Sequence, residues 1–151
     1  MGQIKTISFD VEGTLVTTDF SYSIWFEAIP EQYAQRHGLS FEQARKSVMQ
    51  EYEAVGDHAS EWYDVNYWFT KFDIGSPGPV MERYQHRVSY YPEVNDVLTA
   101  LGSRYQLIAT SGSHRQFLHH LLRDIRPHFS HIFSSISDYK QVKTPAFYTA
   151  I

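Results

Sequence analysis

The chain has 151 residues, 42% of them hydrophobic and 16% aromatic, which is enough to bury a real core and excludes a disordered polypeptide. A formal charge of −4 with no long basic run argues against nucleic acid as a main partner, because neutralising phosphates needs clustered Lys and Arg. The lack of cysteine excludes a disulfide scaffold, a thiolate nucleophile and a Cys-ligated zinc site. No stretch reaches the ~18 apolar residues of a membrane span, and the N-terminal apolar run is too short for a signal peptide. The expectation is a soluble cytoplasmic protein with no membrane partner.

The first predicted element is a strand, Ile4 to Phe9, apolar and β-branched, that stops at Asp10 with Gly13 marking a tight turn. Such a strand is expected to be buried on both faces of a parallel sheet, where chemistry gathers at the carboxyl ends. From Thr17 to Val88 the signals are helical. Ser23 to His37 is aromatic and amphipathic, with Pro30 as a break or restart and Gly38 as a stop. Ser40 and Gln43 form a capping box that opens a helix through Val55. Trp62 to Phe72 has a broad apolar face. Gly75 to Pro79 reads as a breaker, and Val80 to Val88 as a short helix.

After Tyr91-Pro92 the alternation of helix and strand returns. Glu93 to Leu101 is a helix closed by Gly102, and Tyr105 to Ala109 is a strand ending at Thr110-Ser111-Gly112. Ser113 to Ile125 is a helix, His131 to Ser134 a strand, and Pro145 opens another helix. The predicted fold class is α/β, a doubly wound parallel sheet of Rossmann-like type with an all-helical cap inserted after the first strand. The core domain takes residues 1–16 and 89–151, and the cap 17–88.

Chemistry-bearing residues stand after the predicted strands: Asp10-Val11-Glu12-Gly13-Thr14-Leu15, then Thr110-Ser111-Gly112, then Lys143 followed by Pro145. In ISFDVEGTL, LIATSG and KTP, in this order and spacing, the chain resembles the haloacid dehalogenase superfamily over nearly its whole length. The resemblance implies that Asp10 is a carboxylate nucleophile. It implies that Thr110, with Ser111 as the alternative, hydrogen-bonds a phosphoryl oxygen. Gly13 and Thr14 would complete the substrate loop. Lys143 would neutralise the nucleophile and the incoming phosphate. It also implies Mg²⁺, held by the Asp10 carboxylate and the Glu12 backbone carbonyl. The expected substrate is a small phosphorylated metabolite.

Two features depart from the family pattern. Glu12 stands where family phosphatases carry an Asp acid/base; it has a similar unperturbed pKa but is one methylene longer. The family's fourth, acidic motif has no counterpart before Ile151, and Asp138 comes too early to replace it. The core is therefore expected to be incomplete. One edge of the first strand would be left for a missing C-terminal segment or a second chain to cover. Two other functions follow from the same residues. One is a metal-free 2-haloacid dehalogenase using Asp10, which Glu12 disfavours. The other is a non-catalytic protein that binds a phosphorylated ligand or a partner. The eight histidines read as surface or loop residues, since His119 and His120 point ~100° apart on a helix. The aromatic run Trp62 to Phe72 reads as cap core, with a minority facing Asp10.

Overall fold

A computed structural model describes residues 4–151. Three strands, β1 (Thr6–Phe9), β2 (Gln106–Ser111) and β3 (His131–Ser134), form one parallel sheet in the order β1-β2-β3. Ile7 lies opposite Leu107, and Ala109 opposite Ile132. β2 has a neighbour on each side and is the buried strand, with Leu107, Ala109, Thr110 and Ser111 all covered. β1 differs from the sequence expectation. It alternates exposed and half-buried residues, and Ile4 lies outside it and 70% exposed. The reason is position: among the described residues β1 pairs on one side only, so neighbours shield it incompletely.

Between β1 and β2 the chain builds a helical cap. α1 (Asp19–Ser23), a π-helical turn (Ile24–Ala28) and α2 (Ile29–His37) run on without a gap, so Pro30 does not break the rod but sits in the first turn of α2, where α-helix restarts. The π turn explains how. Ile29 donates its N–H to Ile24 five residues back, and Pro30 has no N–H to give. The Trp25 carbonyl is thereby left without a helical donor, and the Tyr52 hydroxyl fills the vacancy at 3.1 Å. Gly38 closes α2 in the left-handed region at φ 65°.

α3 (Phe41–Val55) opens on the capping box, with Gln43 N–H donating to the Ser40 hydroxyl and the Gln43 side chain accepting from Ser40 N–H. A short 3₁₀ turn (Ser60–Tyr63) leads to α4 (Val65–Phe72), capped by the Asp64 carboxylate. α5 (Pro77–Arg83) begins inside the predicted breaker. Pro77 sits in its first turn, where a missing N–H leaves no bond unmade. The segments on either side of the cap meet: Thr17 N–H bonds the Ser89 carbonyl at 2.8 Å, and Tyr91 N–H bonds the Leu15 carbonyl at 3.2 Å.

Beyond the cap, α6 (Val94–Gly102) packs on β2, and α7 (Arg115–Leu121) follows it. α7 is shorter than the sequence suggested, because its chain turns at Leu122. α8 (Ser135–Tyr139) had no sequence expectation; α9 (Pro145–Ala150) did. Asp138 is a structural acid: it receives Ser134 N–H at 2.9 Å and pairs with the Arg115 guanidinium. The core runs through both regions, joining Phe20, Ile24, Trp68 and Phe69 of the cap to Leu98, Leu107, Phe117 and Leu121. Each such side chain, fully buried, is worth about 1.5–3 kcal/mol.

Candidate active site

The loop after β1 wraps one carbonyl. Val11, fully buried, accepts N–H groups from Thr14, Leu15 and Val16, while Gly13 N–H returns to the Val16 carbonyl at 2.8 Å. Gly13 holds φ at 75°, which a side chain would resist, so its place in the motif is conformational. None of these bonds uses the Glu12 carbonyl. This tight turn fixes Asp10 and Glu12 facing a cavity of about 430 Å³.

Asp10 meets the Lys143 ammonium, whose Nζ donates to Oδ1 at 2.8 Å and approaches the Thr110 carbonyl at 3.4 Å. Lys143 comes from the loop before α9 and does not itself line the cavity, so Asp10 stands between ammonium and cavity. Burial pulls the Lys143 pKa down. The Asp10 carboxylate and the nearby Tyr148 hydroxyl outweigh it and hold the ammonium above the ordinary lysine range.

The hydroxyl that reaches the cavity is Ser111, not Thr110. β2 runs two residues further than its sequence suggested, so Thr110 and Ser111 lie within the strand and point to opposite faces. The Thr110 hydroxyl is buried against β1, 3.0 Å from the Ser8 hydroxyl and 3.5 Å from the Phe9 carbonyl. Ser111 lines the cavity, and its Oγ accepts Ser113 N–H at 3.0 Å. Gly13 and Thr14 do not line the cavity either; they build the turn behind it.

Two residues absent from the sequence expectation belong here. The Ser113 hydroxyl donates to the Glu12 carboxylate, which folds the longer side chain toward β2. The Ser113 carbonyl is in turn bonded by the buried Ser134 hydroxyl at 2.8 Å, so the end of β3 steadies the donor. His114 lines the cavity and caps α7, its Nδ1 accepting Gln116 N–H at 3.3 Å. That bond leaves the imidazole proton on Nε2, which faces Asp64 of the cap at 3.8 Å. Burial pushes the His114 pKa down, against the pull of Asp64. Serines in a T-S-G-S run and a histidine after it carry little signal alone; only the strand end gives them a direction. His114, half-buried in the loop before α7, agrees with the reading of the histidines as surface or loop residues, whereas His120, buried within α7, does not.

Beyond Thr18, Ser21 and Gly112, the rest of the cavity wall is aromatic, with Tyr52 of α3 among its rings. Tyr22, Trp25 and Phe26 face it from the α1–π rod, Trp62 and Tyr63 from the 3₁₀ turn, and Phe117 from α7. Trp25 stacks on Phe117 with centroids 5.2 Å apart, joining cap to core. Trp68, Phe69 and Phe72, by contrast, are core of the cap.

The model of the haloacid dehalogenase-like hydrolase family matches residues 4–151. The chain belongs to this family. Among solved structures, this hydrolase-family chain is similar to a HAD phosphatase from Thermococcus onnurineus, with TM-score 0.81 and 21% identity over 98% of this chain and 69% of that one. It is also similar to a predicted phosphoglycolate phosphatase from Haemophilus somnus 129PT, with TM-score 0.59 and 17% identity over 99% of this chain and 71% of that one. Both likenesses concern the fold. In sequence it is 29% identical over 65 residues to the GMP/IMP nucleotidase YrfG of Escherichia coli K12, a stretch that covers 43% of this chain and 29% of that protein.

Proposed function

We propose that the chain hydrolyses phosphomonoesters of small metabolites, with Asp10 attacking phosphorus and passing through an aspartyl-phosphate. One observation carries this reading: a carboxylate at the end of β1 faces the cavity with the Lys143 ammonium 2.8 Å behind it. The ammonium offsets negative charge as the phosphoryl group arrives. The Ser111 hydroxyl binds a phosphoryl oxygen. Glu12, steadied by Ser113, gives a proton to the leaving alcohol and then takes one from water. The aromatic cap excludes bulk water. The division into a core of residues 1–16 and 89–151 and a cap of 17–88 is part of this proposal. The hydrogen-bonded crossings at Leu15–Thr17 and Ser89–Tyr91 support it. Relatives named as phosphatases and a nucleotidase point the same way.

The family implies Mg²⁺. The Asp10 carboxylate and the Glu12 carbonyl would hold it; no third His, Cys, Asp or Glu joins them among the described residues. Mg²⁺ commonly uses one or two carboxylates with water and phosphate oxygens, so this donor set fits it. Once bound, the ion supplies charge that offsets repulsion between carboxylate and phosphate.

The test is hydrolysis of a generic aryl phosphate with Mg²⁺. Activity is expected, to be lost on chelation and restored by Mg²⁺. Halide release from a 2-haloacid that is indifferent to chelator would favour the dehalogenase chemistry instead.

A further inference from the structure

The cavity is asymmetric in a way that bears on the substrate. Two carboxyl side chains line it, Asp10 and Glu12, both from the loop that follows β1. Among the described residues no Lys or Arg lines it: Lys143 reaches Asp10 from outside. His114, the one imidazole of the wall among the described residues, has its pKa lowered by burial, and its Nδ1 accepts the Gln116 N–H. Much of the remaining wall is built of rings from the α1–π rod, α3, the 3₁₀ turn and α7.

These rings are placed to accept another. Tyr22 and Phe26, one turn apart on the rod, have centroids 4.9 Å apart. Trp62 stands edge-on to Tyr52 at 5.9 Å, and Tyr52 edge-on to Trp25 at 6.0 Å. Tyr52 is locked by its bond to the Trp25 carbonyl, so this corner is rigid. Trp62 and Tyr63 are only half-buried and keep free ring surface toward the cavity. A volume of about 430 Å³ sits in the range of sites that enclose a ring-bearing molecule.

Resting on the phosphomonoesterase reading, we propose that the alcohol half of the substrate is an uncharged aromatic group, seated against Trp62, Tyr63 and Tyr22. The same wall discriminates against esters that carry a second anion. A ring gains stacking and edge contacts with these faces. A second carboxylate or phosphate meets Glu12 at one end and apolar surface at the other, with no cation to replace its water.

Binding of unreactive phosphonates separates this from the activity itself. Phenylphosphonate, methylphosphonate and phosphonoacetate are titrated against the whole chain with Mg²⁺, following quenching of tryptophan fluorescence. Phenylphosphonate is expected to bind about tenfold or more tighter than methylphosphonate. Phosphonoacetate, with its second anion, is expected to bind no tighter than methylphosphonate. Trp62→Ala and Tyr63→Leu should each shrink the phenyl preference several-fold. Equal affinity for phenyl and methyl ligands, or tighter binding of phosphonoacetate, overturns the proposal even if aryl phosphate is hydrolysed. A phenyl preference that both variants leave untouched overturns it too. Selective phenyl binding without hydrolysis of any ester overturns the phosphatase reading and leaves the ring site standing.

Discussion

At the scale of single residues, the site turns on which atoms face the cavity. Asp10→Asn keeps shape but removes the charge, and hydrolysis is expected to fall on the order of a thousandfold or more in kcat. Folding should change little, since the Asp10–Lys143 pair is partly solvated and such pairs contribute about 0–1 kcal/mol. Ser113→Ala frees the Glu12 carboxylate. Steady-state kinetics should show a 10- to 100-fold loss, roughly the lower end of acid/base effects, with kcat falling more than KM and the pH profile displaced. Thr110→Val should cost far less activity than Ser111→Ala, because the Thr110 hydroxyl is spent on Ser8. That contrast marks what was readable in advance. Asp10, Glu12 and Lys143 announce themselves by residue type and order. The choice between Thr110 and Ser111 depends on β2 running through both, because successive strand residues point to opposite faces and only one of the two can face the site. Ser113 and His114 gain meaning only from the neighbours the fold brings to them.

At the scale of elements, the α1–π–α2 rod shows how a local conflict is resolved by a distant residue. Pro30 read as a break or restart because its ring and missing N–H oppose a regular helix interior. The rod continues because the π turn shifts the hydrogen-bond register and Tyr52 on α3 supplies the missing donor. Burial also drives the Tyr52 pKa strongly upward, so the phenol stays a donor. Tyr52→Phe is expected to destabilise by about 1–3 kcal/mol in denaturant unfolding, the cost of a buried unsatisfied carbonyl. Pro30→Ala restores an N–H nearby, so in the double variant the two effects should not add. Capping at Ser40 and the periodicity of α3, α4 and α6 were legible because their signals are local. α8 was missed because its cap, Ser134 with Asp138, is ordinary composition until β3 ends there.

At the scale of the whole molecule, cap and core share one hydrophobic cluster and a seam with two histidines. His114 faces Asp64 from the cap and Arg115 and Lys140 from the core. His120 faces Glu82 and Gln85 from the cap and Arg123 and His119 from its own side. Burial lowers both pKa values, and Arg123 adds to it at His120. The folded state therefore binds fewer protons than the unfolded chain below the ordinary histidine value of about 6.5. Stability is full above that pH and declines as pH falls through the folded values. A thermal scan from about pH 8 to pH 5 should show Tm falling in the acid half, and His120→Gln should flatten that slope. A Tm that rises on acidification would contradict the seam as described. Among the described residues no helix is long and apolar enough to cross a membrane.

Covalent chemistry at Asp10 passes through an acyl phosphate that can be trapped. The chain is mixed with an aryl phosphate and Mg²⁺, quenched in acid during turnover, reduced with borohydride and mapped by peptide mass spectrometry. Reduction turns a phosphorylated aspartate into homoserine, and homoserine is expected at position 10. Turnover with Asp10 unmodified in the trapped enzyme, and with activity surviving in Asp10→Asn, would contradict it.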